Sequence, residues 1–235
     1  MSQRHSLIGT GLYGIGRAAQ LVGADVRSVR RWLKGYSRKT RNGTTSSAPL
    51  WLLQYWDDEE IGDDFVLGFK DLMELRVVTR FIKQGVPLQT VRATIAIATE
   101  TLGPYPLQSR RFLTDGKRIF MDAIEGSGQR GKLLDVRGRQ FVFGSVIRPS
   151  LFDDVEFDAQ GNSVRWFPVP KKRLIVVDPA RQFGQPVLLS CNVLTETLHN
   201  SFIAERGNRR FVAGIWEVTE EELMAAVRFE KGMAA

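Results

Sequence analysis

Apolar and polar positions along the chain alternate with two distinct periods, and they locate most of the elements. From Tyr13 to Lys34 the period is helical. Ile15, Ala18, Ala19 and Val22 recur on one face, which predicts a short helix over Ile15–Val22. Gly23-Ala24-Asp25 then makes a tight turn, and a second helix runs Val26–Lys34 with Asp25 as its N-cap. Val26, Val29, Trp32 and Leu33 turn towards the first helix. The period then shortens: Ser37–Arg41 and Thr44–Ser47 are β-compatible runs flanking Asn42-Gly43, a strong hairpin signal.

Helical spacing returns at Phe69–Gln84, where Phe69, Leu72, Met73, Leu75, Val78, Phe81 and Ile82 form a broad apolar face. Pro87 opens another helix through Leu102, with Val91, Ile95, Ala98 and Leu102 inward. Thr114-Asp115-Gly116-Lys117 between apolar runs predicts a hairpin over Phe112–Phe120. Leu133–Val136 and Gln140–Val146 are strand-like, and Val155–Phe157 pairs with Val164–Trp166 across the turn Asp158–Asn162. Leu174–Val177 is a buried-strand run. Three helices close the chain: Thr195–Glu205, Arg209–Ile215, and one beginning at Thr219 with the capping box Thr219-x-x-Glu222.

Charge changes this picture in one place. Residues 1–47 hold nine Lys/Arg against one acid, Asp25, for a net charge of +8. The rest hold 24 Lys/Arg and 25 Asp/Glu, a net −1. A basic module on a neutral partner is the footprint of nucleic-acid binding. Arg27, Ser28, Arg30, Arg31 and Lys34 project from the second helix. Such a helix suits a major groove, its first side chains reaching base edges and later cations meeting phosphates. Tyr36, Arg38, Lys39 and Arg41 on or beside the hairpin's first strand would lie against the backbone, as a wing does.

Catalytic chemistry finds little support. One cysteine, Cys191, excludes an internal disulfide, and two histidines, His5 and His199, exclude a His-rich metal cluster. The apolar flanks of Cys191 make it a buried structural thiol. Glu74 and Arg76 read as surface or ion-pair residues, and the acidic run Asp57–Asp64 as a solvated loop. The chain is expected to be no enzyme, to need no cofactor or metal, and to lack a signal peptide and membrane span, which places it in the cytoplasm.

The order of helix, turn, basic helix and hairpin resembles the MerR-like winged helix, with Arg30-Arg31-Trp32 closing the recognition helix. Asp178-Pro179, Phe183-Gly184-Gln185-Pro186-Val187, Thr195 and Ala226-Val227-Arg228-Phe229-Glu230 resemble the domain of unknown function 433. Phe69–Arg76 is similar to the middle region that joins these two modules in VapB-type antitoxins. Leu189–Val193 departs from the Gly-Thr-Arg-Ile-like turn usual there.

The expected architecture is mainly α. A winged helix–turn–helix occupies 1–56, a helical middle 57–125 and a β-hairpin region 126–173. A three-helix, HTH-like domain preceded by short strands fills 174–235. The resemblance implies the antitoxin of a type II toxin–antitoxin pair, a homodimer that represses its own promoter on double-stranded DNA and neutralises a PIN-domain ribonuclease. Such nucleases hold Mg²⁺ in a carboxylate pocket, and Arg206, Arg209, Arg210 and Arg228 are candidate cations for that contact. The apolar Phe69–Ile82 stripe and the C-terminal helices are the candidate dimer seams, with Phe211, Trp216, Met224 and Phe229 as anchors. A MerR-like, ligand-sensing regulator without a toxin, and an enzyme built on Cys191 and His199, are the alternatives.

Overall fold

The computed structural model describes residues 9–40, 43–54, 65–126 and 151–234. The chain divides into two bodies, one of residues 14–152 and 157–163, the other of residues 9–13, 153–156 and 164–235. Mainly helical structure dominates both.

The first body begins with β1 (Tyr13–Gly14), whose second residue it owns, then α1 (Ile15–Val22) and α2 (Val26–Lys34). Both helices have the bounds their periodicity predicts. Gly23 ends α1 in the left-handed conformation, φ 65° and ψ 42°, which glycine adopts without a Cβ penalty. Strands β2 (Tyr36–Thr40) and β3 (Gly43–Ser47) pair antiparallel, with Tyr36 opposite Ser47 and Thr40 opposite Gly43. The tip, Arg41-Asn42, lies outside the described residues, as do the acidic run Asp57–Asp64 and the strand-like 133–136 and 140–146.

Strand β4 (Val66–Leu67) leads into α3 (Phe69–Lys83), followed by α4 (Leu88–Leu102) and α5 (Arg110–Gly126). Helix α3 is central. It packs against α1, α4 and the single turn Pro106–Gln108, and it is buried from Asp71 to Thr79 without a break. Phe81 of α3 sits 5.8 Å from Phe120 and 6.3 Å from Phe112 of α5, with tilted or edge geometry.

Three expectations are corrected here. Phe112–Phe120 is helix, not hairpin. Phe112, Ile119, Phe120, Ala123 and Ile124 are all buried and recur at helical spacing, so tertiary packing overrides the turn chemistry of Asp115-Gly116. Gly116 serves the helix instead: a Cβ there would lie 3.1 Å from the Phe112 ring. Glu74 and Arg76 are not surface residues but are 1% and 2% exposed. The Glu74 carboxylate accepts the Gln108 amide at 2.9 Å, and Arg76 donates to the Leu151 carbonyl at 2.7 Å, which Arg80 also reaches. The α3 stripe is thereby consumed in this body's own core, which removes it as a dimer seam.

The second body has a small antiparallel pair, β7 (Ile175–Val176) and β8 (Val187–Leu188), preceded by the hairpin β5 (Val155–Phe157) and β6 (Ser163–Trp166), whose tip belongs to the first body. Helices α6 (Thr195–Ala204), α7 (Arg209–Ile215) and α8 (Glu220–Ala234) follow, close to their predicted bounds. Their core is Leu198, Val212, Ala213, Leu223, Ala226 and Val227 over Ile175 and Leu188. The capping box forms: Thr219 donates its amide to Glu222 at 2.9 Å, and the Glu222 amide donates to Thr219 Oγ1 at 3.2 Å. Thr195 Oγ1 and the Glu230 carboxylate bond each other in the interior.

Residues from the start of the chain complete this body. The Leu12 amide donates to the Phe183 carbonyl at 3.0 Å, Gln185 Nε2 donates to the Leu12 carbonyl at 3.0 Å, and the Tyr13 hydroxyl donates to the Gly184 carbonyl at 2.7 Å. Gly184 is required there, because a Cβ would meet Tyr13 Oη at 2.2 Å and φ is 79°.

Candidate nucleic-acid interface

The basic module of the first body is organised around α2. Asp25 caps it, its carboxylate accepting the Ser28 amide at 2.8 Å. That bond holds the Asp25 carboxyl below its ordinary value. Val29, Trp32 and Leu33 are buried. At 100° per residue they lie within an arc of about 100°, and Arg27, Arg30, Arg31 and Lys34 lie within a facing arc of the same width. All four cations are exposed. Val26, expected inward, is 38% exposed at the edge. Ser28 is half-buried and its hydroxyl lies 3.4 Å from Arg31 Nη2. Lys34 Nζ, though exposed, lies 4.2 Å above the Phe65 ring, a cation–π contact.

The hairpin is fixed to α2 through Gly35. Its φ is 68°, and a Cβ would come within 2.4 Å of the Ser47 carbonyl oxygen, so no other residue fits without moving β3. Tyr36 and Lys39 are exposed on β2. Arg38 has a described backbone in β2, while Arg41 lies outside the described residues.

Sequence reading missed the residues that brace this module. Arg92 of α4 donates to the Pro49 carbonyl and to Ser47 Oγ, both at 2.9 Å, clamping the end of β3. Asp71 of α3 accepts from Trp51 Nε1, from the Gln54 amide and from the Gly68 amide. Lys83 adds a fifth cation, its Nζ beside the Gly23 turn. Apart from the local Gly68–Asp71 cap, each of these contacts joins residues far apart in sequence, so no local pattern marks them.

Burial shifts two carboxyls in α3. It raises Asp71 to about 6 against the pull of its three donors, and raises Glu74 to about 8, with the neighbouring Asp71 charge adding to the effect.

The residues singled out in the second body are spread over its surface. Arg206, Arg209, Arg210 and Arg228 are exposed. Of the proposed anchors, Phe211 is exposed, whereas Trp216, Met224 and Phe229 are half-buried against the core. Cys191 is a further correction: it is exposed in the turn after β8 rather than buried, because Leu188 and Val193 pack on the core of this body and leave the turn between them, Leu189–Asn192, in solvent. His199 is half-buried on α6. Among the described residues no three His, Cys, Asp or Glu side chains converge to hold a metal, and no helix is long and apolar enough to cross a membrane.

No family model matches the chain. A crystal structure of Rv2018 from Mycobacterium tuberculosis superposes with a TM-score of 0.66 at 19% identity, covering 94% of this chain and 98% of that one. The two chains share a fold. A curated protein of Mycobacterium tuberculosis (strain ATCC 25618 / H37Rv), named "Putative antitoxin VapB45", is 26% identical over 75% of this chain and 76% of its own length. The similarity reaches too far along the chain to be confined to the basic module.

Proposed function

We propose that the protein is the antitoxin of a type II toxin–antitoxin pair. It acts as a cytoplasmic homodimer that binds its own promoter and neutralises a PIN-domain ribonuclease, with no chemistry of its own. The observation that carries the antitoxin role is the similarity to the protein named as antitoxin VapB45, which extends over three-quarters of both chains.

DNA binding rests on the cationic arc. Four cations on one nine-residue helix, opposite a buried apolar arc, suit a groove about 12 Å wide. In this reading α1, α2 and the β2–β3 hairpin are a MerR-like winged helix. Arg27, Ser28, Arg30 and Arg31 face bases and phosphates, and Lys34, Tyr36, Arg38, Lys39 and Arg41 extend the contact along the backbone. The second body, where both signs of charge are exposed together, makes protein contacts.

The test is growth of cells expressing the adjacent gene with and without this protein, together with co-purification of the two products. Arrested growth restored by this protein is the expected outcome. If the neighbour is harmless alone and the pair does not associate, the antitoxin role fails and a ligand-sensing MerR-like regulator takes its place.

A further inference from the structure

Helix α7 turns two large apolar side chains into water. Phe211 is 52% and Ile215 54% exposed, and their separation of four residues sets them side by side on one face. The opposite face, Val212 and Ala213, fills the core of the second body, which closes without Phe211 or Ile215. Gly214 lies on the same outer face. A Cβ there would meet nothing within 4 Å, so the body's own packing gives no reason for it. A mid-helix glycine costs roughly 0.5–1 kcal/mol relative to alanine.

The charges around these residues are ordered. Arg206, Arg209 and Arg210 stand exposed at the N-terminal end of α7, and no ion pair engages them among the described residues. Glu217 and Glu220 stand exposed at the C-terminal end, with Glu221 beside them paired to Lys172. Over about 10 Å of helix the surface thus passes from cationic to apolar to anionic.

Such a strip is a poor match for a polyanion or a uniformly acidic protein, because its glutamate end repels both. It is complementary to itself. A two-fold axis through the Phe211–Ile215 midpoint sets two copies of α7 antiparallel. Arg210 of one, four residues before Gly214, then faces the Glu217 and Glu220 end of the other, with exposed Arg209 beside it at the helix start and four apolar side chains between. Gly214 lets the two helices approach closely.

We propose that the outer face of α7 is the seam through which two copies of this chain associate. The inference deepens the homodimer of the proposed function by giving it a location, and it is tested without DNA or toxin. The full-length protein is compared by sedimentation equilibrium with two variants. One makes the strip acidic throughout (Arg209→Glu with Arg210→Glu) and the other makes it basic throughout (Glu217→Arg with Glu220→Arg). Circular dichroism checks that both fold.

The wild type is expected to dimerise. Each variant alone should self-associate about tenfold more weakly or worse, and an equimolar mixture of the two should regain wild-type association. If the wild type dimerises and neither variant weakens it, the seam lies elsewhere and this inference falls while the homodimer stands. If the wild type remains a monomer up to high micromolar concentration, both fall. If only the acidic variant loses association while the basic variant keeps it, the strip does not dock on its own copy and the self-docking inference is overturned.

Discussion

The two bodies show their charges to solvent in different ways. The first buries Asp71, Glu74 and Arg76 along its central helix and shows a surface helix bearing one sign of charge. The second also buries three acids, Asp154 bonded to Trp166, Asp178 paired with Arg165 and Glu230 bonded to Thr195, but its surface displays both signs with apolar residues between them. In the first body the buried carboxyls act as fixed struts: they hold loops 50–54 and 106–108 on α3. A mixed exterior suits the protein contacts proposed for the second body, since it distinguishes partners by register as well as by sign.

The contrast is broken most forcefully by pH. The folded state holds protons on Glu74 and Asp71 that the unfolded chain has lost above about pH 4.5. In that window the native state binds more protons, so stability falls as pH rises. This contribution is complete below the unfolded values and is lost through about 6 for Asp71 and about 8 for Glu74. The slope reaches about 1.4 kcal/mol per pH unit for one proton. Hydrogen exchange between pH 5 and 8 should show α3 and α4 losing protection while α6 and α8 keep theirs. Glu74→Gln, which retains an acceptor for the Gln108 amide, should flatten the slope.

In the second body the sign reverses at Glu222. Its hydrogen bonds from Ser190 and Thr219 lower its pKa, so any loss there comes as pH falls through that depressed value.

Gly184→Ala should come next in size. It destabilises the second body by about 2 kcal/mol or more, from left-handed strain and overlap with the Tyr13 hydroxyl. Adding Tyr13→Phe should recover part of that loss. Denaturant melts read both effects, and no recovery would locate the clash elsewhere.

For DNA, Arg30→Ala with Arg31→Ala should weaken binding to the upstream region and reduce the log–log salt slope by about 2, one per lost phosphate contact. Arg209→Ala with Arg210→Ala should leave the slope per bound protomer unchanged. An equal drop in slope from both pairs would erase the division of labour proposed for the two bodies. The smallest effect belongs to Cys191. Ellman's reagent should titrate one thiol in the native protein, and Cys191→Ser should shift stability by less than about 0.5 kcal/mol.

Elements whose signals are local were legible in the chain. The bounds of α1, α2 and α7, the Asp25 cap and the Thr219 capping box each depend on residues within four positions of one another. Failures arise where partners are distant. Asp115-Gly116 carries turn chemistry that only the packing of Phe112 and Phe120 on Phe81 overrides. Glu74 looks like a solvated charge until Gln108 and the 3₁₀ turn that carries it are in place, 34 residues on. The cationic arc of α2 was readable from spacing alone, but the Arg92 clamp that orients the hairpin beside it was not.

The hydrogen bond from Tyr13 to Gly184 also bears on how the molecule is made. It spans 171 positions, so the second body closes on a segment synthesised long before its own helices. Loop closure over such a separation is entropically costly and slow, which predicts a late docking step after the α6–α8 bundle has condensed. It also suggests a fragment experiment. A chain starting at residue 151 should fold loosely and be tightened by a peptide covering residues 9–14 supplied in trans, with Tyr13 indispensable to the peptide.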